Sequence, residues 1–191
     1  MNAKHIRLLV IALMVTGIAF FGKGIYIYAK ARLAQYLLEQ AWAEAKERKE
    51  DVKPWSWADT WPVARLIVPK TGEELIILEG CSGEALAFGP GHLTGTPLPG
   101  EEGNCVISGH RDTHFRFLKD LSGGSEIIIE NLNGELLTFY LEKAFITDKN
   151  DLSVISKTKK RRLTLITCYP FNDLSLLADR RFIAIFSPKS E

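Results

Sequence analysis

A thiol, an imidazole and a guanidinium each stand at the end of an apolar run in this chain. Cys168 closes LTLITC and is followed by Tyr169 and Pro170. His110 closes NCVISGH with Gly109 just before it, and Arg181 opens RFIAIF. The ends of rigid strands are where side chains from distant stretches can converge on one cleft. A thiol beside an imidazole supplies a nucleophile and a proton carrier, the pair that acyl transfer requires. A guanidinium adds a fixed cation with several donors, suited to a substrate carbonyl or to the oxyanion it becomes. Each residue alone has an ordinary reading, a core thiol or a solvated arginine. The trio points to chemistry.

Rival constellations fail on spacing. His110 and His114 are four apart, but no Glu follows His110, so the H-E-x-x-H zinc pattern is missing. No C-x-x-C pair occurs, and Leu174 stands six places after Cys168, where a tyrosine phosphatase loop needs Arg. Neither G-x-S-x-G nor a phosphate-binding glycine loop is present. His114 therefore reads as a packing residue near the site. Cys105, opposite Val106 in a strand, reads as a core thiol; Cys81, in GCSGE, sits in a turn, and a Cys81–Cys105 disulfide is the lesser alternative. His92, in GPGHL, reads as a surface-loop residue, with a place in the substrate groove as the alternative.

The elements that must position the trio are short apolar runs separated by turn residues. ARLIVP (64–69), ELIILEG (74–80), ALAFGPGHL (85–93), GNCVISGH (103–110), SEIIIEN (125–131), ELLTFYLEKAFIT (135–147), RLTLITCYP (162–170) and RFIAIFSP (181–188) are eight strand candidates. Asn133-Gly134 between two of them predicts a hairpin. HFRFLKDL (114–121) predicts a short helix. Many short strands with turn punctuation imply an all-β sandwich or closed barrel. If the last strand starts at Arg181, alternation puts Arg181, Ile183 and Ile185 on one face and Arg180 on the other.

The first thirty residues differ. Leu8 to Gly22 carry no charge, and the stretch to Ala29, broken only by Lys23, is 22 residues. That is about 33 Å of helix, enough to cross a hydrocarbon core of about 30 Å. No small-residue cleavage site follows directly, so an uncleaved anchor is favoured over a signal peptide. Residues 30–61 read as a helical stalk or linker, a solvated helix with a weak stripe of Leu33, Tyr36, Leu37 and Trp42. WSWADTWP marks its end, with Trp55, Trp57 and Trp61 expected to wrap onto the domain of residues 62–191 rather than meet a membrane.

Across the 191 residues, 24 Lys and Arg balance 23 Asp and Glu, for a net charge of +1. No basic excess exists to neutralise phosphates, so nucleic acid is not the expected partner. Three cysteines, an odd number, argue against a disulfide scaffold.

LTLITC (163–168) resembles the TLxTC motif of sortases, the cysteine transpeptidases that attach proteins to cell surfaces. SGHRDTHFRFLKDL (108–121) is similar to their histidine segment, and PLPGEEGNCVISGHRD to the corresponding stretch of class D-type members. The resemblance runs from about Ala64 to Pro188, and its details look most like a group from Gram-negative proteobacteria. It implies an eight-stranded sortase-type β-barrel behind an N-terminal membrane helix. Cys168 would be the nucleophile, His110 the proton donor to the leaving amine, and Arg181 the arginine on the substrate carbonyl and oxyanion. Thr167 and His92 are further candidates for substrate contact. FNDLSLLAD departs from the class D pattern, lacking its glycine and proline, so the loop beside the cleft is expected to differ.

The partners implied are an exported protein with an LPxTG-like sorting signal, cut after Thr, and an amine-bearing acceptor. No cofactor is implied, and no carboxylate cluster matches the calcium loops of some sortases. A cytoplasmic N-terminus with the catalytic domain outside the inner membrane follows from that role. A processing protease that only hydrolyses, and an anchored binding domain without catalysis, are the alternatives.

Overall fold

Eight strands close into one barrel in the computed structural model, which describes residues 3–173 and 178–189. They are β1 (Pro62–Val68), β2 (Glu73–Glu79), β3 (Gly91–His92), β4 (Asn104–Ser108), β5 (Glu126–Asn131), β6 (Leu136–Asp148), β7 (Arg162–Tyr169) and β8 (Arg180–Pro188). Around the barrel they follow the order β1-β2-β3-β4-β7-β8-β6-β5. The β2–β3 and β4–β7 pairs are parallel and the others antiparallel. The all-β barrel expected from the sequence is the fold.

Alternation decides what lies inside. Ala64, Leu66 and Val68 of β1, Ile127 and Ile129 of β5, Leu163 and Leu165 of β7, and Ala184 and Phe186 of β8 fill the interior with Cys105, Ile107, Phe115 and Leu118. Phe115 leads into the 3₁₀ turn Arg116–Asp120, which realises the short helix expected there. The Asn-Gly hairpin forms as well: Gly134 has φ +82°, and the Asn131 side-chain oxygen accepts the backbone N–H of Asn133 and Glu135.

Two expectations are corrected. The run 85–93 is not one strand, because Gly83–Phe88 forms helix α2, leaving only Gly91–His92 as β3. Ser82 caps the helix by accepting the Ala85 N–H, and Glu84 sits in the first turn, where the helix dipole favours an anion. A capping signal followed by Ala-Leu-Ala outweighed the apolar content that suggested a strand. Gly91 then passes so close to the preceding turn that a Cβ would lie 2.2 Å from the Gly80 carbonyl oxygen.

The second correction concerns the stalk. Helix α1 runs unbroken over Ala3–Arg48, and the chain divides into compact units Met1–Tyr36 and Leu37–Glu191. In the first unit the apolar side chains from Leu8 to Tyr28 are exposed, on a helix long and apolar enough to cross a membrane. In the second, Leu38 and Trp42 are buried against Ile76 and Leu78 on the outer face of β2. This segment is part of the barrel's packing, not a solvated stalk. ELIILE is apolar on both faces, which is the sign of a strand covered from both sides.

Ion pairs edge the contact. Arg65 donates to Glu39 at 2.7 Å and to Glu74 at 2.9 Å, and Lys46 pairs with Glu130. Partly exposed pairs at such an edge contribute on the order of 1 kcal/mol each, whereas truncating a buried Trp costs about 3–5 kcal/mol. The apolar contact dominates. Of the three Trp after Pro54, Trp55 stacks edge-on to Phe88 at 5.0 Å and Trp61 packs on the core, while Trp57 is 84% exposed. The wrap holds for two of the three.

A fragment of residues 51–191 should therefore melt roughly 10 °C or more below one of residues 37–191, given about 2–4 °C per kcal/mol at this size. Equal melting temperatures by circular dichroism would show that the helix adds nothing to the barrel.

Candidate active site

Cys168 is the penultimate residue of β7, and its direct partner across the antiparallel pair with β8 is Arg181. Direct partners project from the same face with Cβ atoms about 4.5–5.5 Å apart. On the other side β4 runs parallel to β7, with Ser108 opposite Ile166. The alignment continues past the strand: the Gly109 N–H donates to the Ile166 carbonyl at 3.1 Å, and the Thr167 hydroxyl donates to the Gly109 carbonyl at 2.7 Å. His110 thus emerges alongside Cys168. The three residues taken from the sequence meet at one end of the barrel.

They meet on its outside. Leu163, Leu165, Phe182, Ala184 and Phe186 belong to the interior, so alternation turns Cys168 and Arg181 outward with Ile183 and Ile185. His110 is exposed, and Cys168 and Arg181 are half-buried. Ile183, Ile185 and Thr164 are buried although they face outward. Asn104 holds the β6–β7 connection against this face: its amide donates to Val154 and Ser156 carbonyls at 3.0 and 3.2 Å and its oxygen accepts from Thr164 at 2.6 Å. The surface beneath the trio is thus apolar and hydrogen-bonded at its lower edge.

Local sequence explains the approach to His110. A Cβ at position 109 would lie 2.8 Å from the Phe115 ring, so only glycine lets the chain turn there over the plugged barrel. The next residue, Arg111, is buried, and NH1 donates to the Pro170 carbonyl at 2.9 Å while NH2 donates to that of Asp173. Arg181 donates through NH1 to the Ala178 carbonyl at 2.8 Å and to that of Arg180 at 3.1 Å. Arg180, opposite Tyr169, is exposed. The departure read in FNDLSLLAD falls partly on residues 174–177, outside the described residues.

The other candidates separate clearly. Thr167 is buried and ties β7 to the chain before His110. His92 is not in a surface loop; it is 2% exposed on β3, between the Glu79 carboxylate at 2.7 Å and the Pro97 carbonyl and Thr96 hydroxyl at 3.0 Å. Cys105 is a core thiol that burial pushes far above the ordinary range. Cys81 is half-buried, raised by burial, and donates to the Gly91 carbonyl at 3.2 Å; all three cysteines are free. Among the described residues no group of three or more His, Cys, Asp or Glu could hold a metal.

His114 lies beside the trio, its ring 6.5 Å from that of His110. Burial lowers its pKa below 6.5, and the His110 charge lowers it further. Sequence reasoning gave it a packing role and assigned Arg111 none. The available signal for Arg111 was a charge placed directly after an apolar strand end, where burial forces it to find partners.

The Sortase domain family model matches residues 66–188. Sortase D of Bacillus subtilis (strain 168) is 41% identical over 108 residues, 56% of this chain and 54% of that protein. The chain spans about half the length of the curated relatives it matches. Among solved structures, a Clostridium perfringens sortase D5 transpeptidase superposes with a TM-score of 0.66 at 24% identity, covering 83% of this chain and 99% of that one. The catalytic domain of B. anthracis SrtD gives 0.58 at 33% identity, covering 68% and 88%. The likeness to class D proteins agrees with the motifs; these relatives do not bear on a Gram-negative subgroup.

The lowered His114 pKa has a signed consequence. As pH falls below 6.5 the unfolded chain binds a proton at His114 before the folded chain does. Stability linked to this group is complete above that pH and is lost as pH drops toward the folded value. Replacing His114 with Phe should flatten the fall in stability between about pH 7.5 and pH 5 in urea titrations. A wild-type-to-variant gap that stays constant with pH would contradict the shift.

Proposed function

Because this chain belongs to the sortase family, we propose that it is a membrane-anchored cysteine transpeptidase that cleaves an LPxTG-like sorting signal after Thr and transfers the product to an amine. The observation that carries this reading is the row formed by His110, Cys168 and Arg181, set by the β4–β7 and β7–β8 registers. Position by position they match the residues that the TLxTC and GHRD resemblance implies. We assign residues 1–29 to the anchor and 62–191 to the catalytic barrel, with the segment between joining them.

The chemistry follows from the three groups. The Cys168 thiolate attacks the carbonyl carbon of the Thr in the signal, and the carbonyl π electrons move onto oxygen. Arg181 meets that oxyanion: its NH1 donates to the Ala178 and Arg180 carbonyls, and the guanidinium carries further donors on Nε and NH2 suited to a substrate oxygen. The intermediate collapses, the C–N bond breaks, and His110 gives its proton to the departing amine. A thioacyl enzyme remains, with neutral imidazole beside it. An incoming amine attacks the thioester, His110 takes its proton, and the Cys168 thiolate leaves as the new amide forms. Water in place of the amine would make the enzyme a processing protease.

The exported sorting-signal protein and the amine acceptor are the partners of this scheme. Acting on an exported substrate requires the barrel outside the cytoplasm. Lys4 and Arg7 then lie inside, and the span crosses the inner membrane once. Lys23 near the far end of the span, with Lys30 and Arg32 beyond it, does not set orientation by itself.

Mass spectrometry of LPxTG-like peptides, with and without a glycine amine, tests the reaction. Cleavage between Thr and Gly with amine-linked product is expected, and none with Cys168→Ala. Product that is only hydrolysed selects the protease, and no Cys168-dependent product selects the binding domain. Arg181→Gln should lower kcat/KM about 10²–10³-fold, the cost of losing an oxyanion donor, while Arg180→Gln should cost far less. For topology, a reporter fused after Glu191 should be active only when exported; activity confined to the cytoplasm would reverse the orientation.

A further inference from the structure

The acyl-transfer scheme makes no use of Arg111, yet its guanidinium is only 7% exposed. A buried cation must be closely satisfied, and where its donors go shows what it holds. NH1 donates to the carbonyl of Pro170, two residues past Cys168, and NH2 to that of Asp173. Its Nε lies 3.5 Å from the Asp112 carboxylate. Arg111 itself is the residue after His110. On the near side of the same pair, Gly109 is bonded to Ile166 and to Thr167. His110 and Cys168 are therefore bracketed: the residues flanking one are bonded to those flanking or following the other.

We infer that Arg111 is a positioning residue that fixes His110 against Cys168 by pinning the chain leaving β7 to the chain leaving β4. The far end of the β7–β8 segment has its own tie, since the Lys149 N–H donates to the Asp179 carbonyl at 2.9 Å and its ammonium pairs with the Asp179 carboxylate. Loss of Arg111 thus loosens the Cys168 side of that segment while its other end stays attached. The planar fork matters. Two carbonyls three residues apart are held in one geometry by a guanidinium, whereas a lysine ammonium supplies the charge without the fork.

This inference rests on the transpeptidase reading, and a comparison of leaving groups tests it. The whole chain, in detergent, is given an LPxTG-like peptide and a twin in which the scissile amide is a thioester. An amine leaves only when His110 protonates it; a thiolate needs no such proton. Arg111→Lys should slow amide cleavage about 10- to 100-fold through kcat, with KM little changed, because a displacement near 1 Å is enough for such a loss. For the thioester, thiol release in the first turnover, which precedes the resolving step where His110 acts as base, should fall by less than about threefold, since proton donation is not part of that step. Equal losses on both substrates, or no loss on the amide, overturn the inference while the wild type stays active. A wild-type chain that cleaves neither substrate overturns the transpeptidase reading and the inference together. If the Lys variant fails to fold, Arg111→Gln, which keeps one amide donor, is read by the same two rates.

Discussion

The parallel pairing of β4 with β7 is the contact on which the rest of the molecule depends. It joins residues 58 positions apart, as at Gly109 and Thr167, and closing such a loop costs chain entropy that only burial can offset. The pairing buries Cys105, Ile107, Leu163 and Leu165 on the inner side. On the outer side the same register aligns His110 with Cys168. Because the side-chain period of a strand is two, a slip of one residue would turn Cys168 into the core and Thr167 out. Core packing therefore sets the register of the chemistry.

The outer face of the barrel is divided between two uses. Across β5, β1 and β2 it is covered by the end of helix α1, with Leu38 and Trp42 on Ile76 and Leu78 and the charges of Arg65, Lys46, Glu39 and Glu130 at the margin. Across β4, β7 and β8 it carries the trio, and the polar ties of Asn104, Thr164 and Arg111 hold the adjoining connections. The first half is stabilised by area removed from water, the second by hydrogen bonds in a fixed geometry. A row of polar side chains on an outer face depends on the second kind for its alignment, because apolar contact alone does not fix direction.

Much of this was legible in the residues. Short apolar runs set off by turn residues mark the strands, alternation puts Arg181 with Ile183 and Ile185, and the apolar ends of two runs mark Cys168 and His110. What failed had a local physical cause. ALAFGPGHL reads as a strand because its apolar content hides the Ser82 cap, and His92 reads as a loop residue with it; a histidine between Glu79 and Pro97 is visible only once β2 and β3 are paired. Residues 37–48 read as a solvated stalk because Ala41 and Ala45, both buried beside Leu38 and Trp42, carry little hydrophobic signal. Arg111 has no such mark, because the Pro170 and Asp173 groups that hold it are main-chain carbonyls, which no side-chain pattern announces.

The pairing of distant strands also sets a schedule. Non-local parallel contacts must offset the entropy of closing a long loop, so Cys168 has no imidazole or guanidinium neighbour until β7 pairs with β4 and β8. Until then the chain carries three chemically equivalent thiols. Folding makes them unequal: Cys105 is sealed in the interior, Cys81 is tied to a main-chain carbonyl, and Cys168 is brought to the surface. The difference between the three thiols is thus acquired on maturation, and an unfinished molecule meets its surroundings without Cys168, His110 and Arg181 assembled in one row.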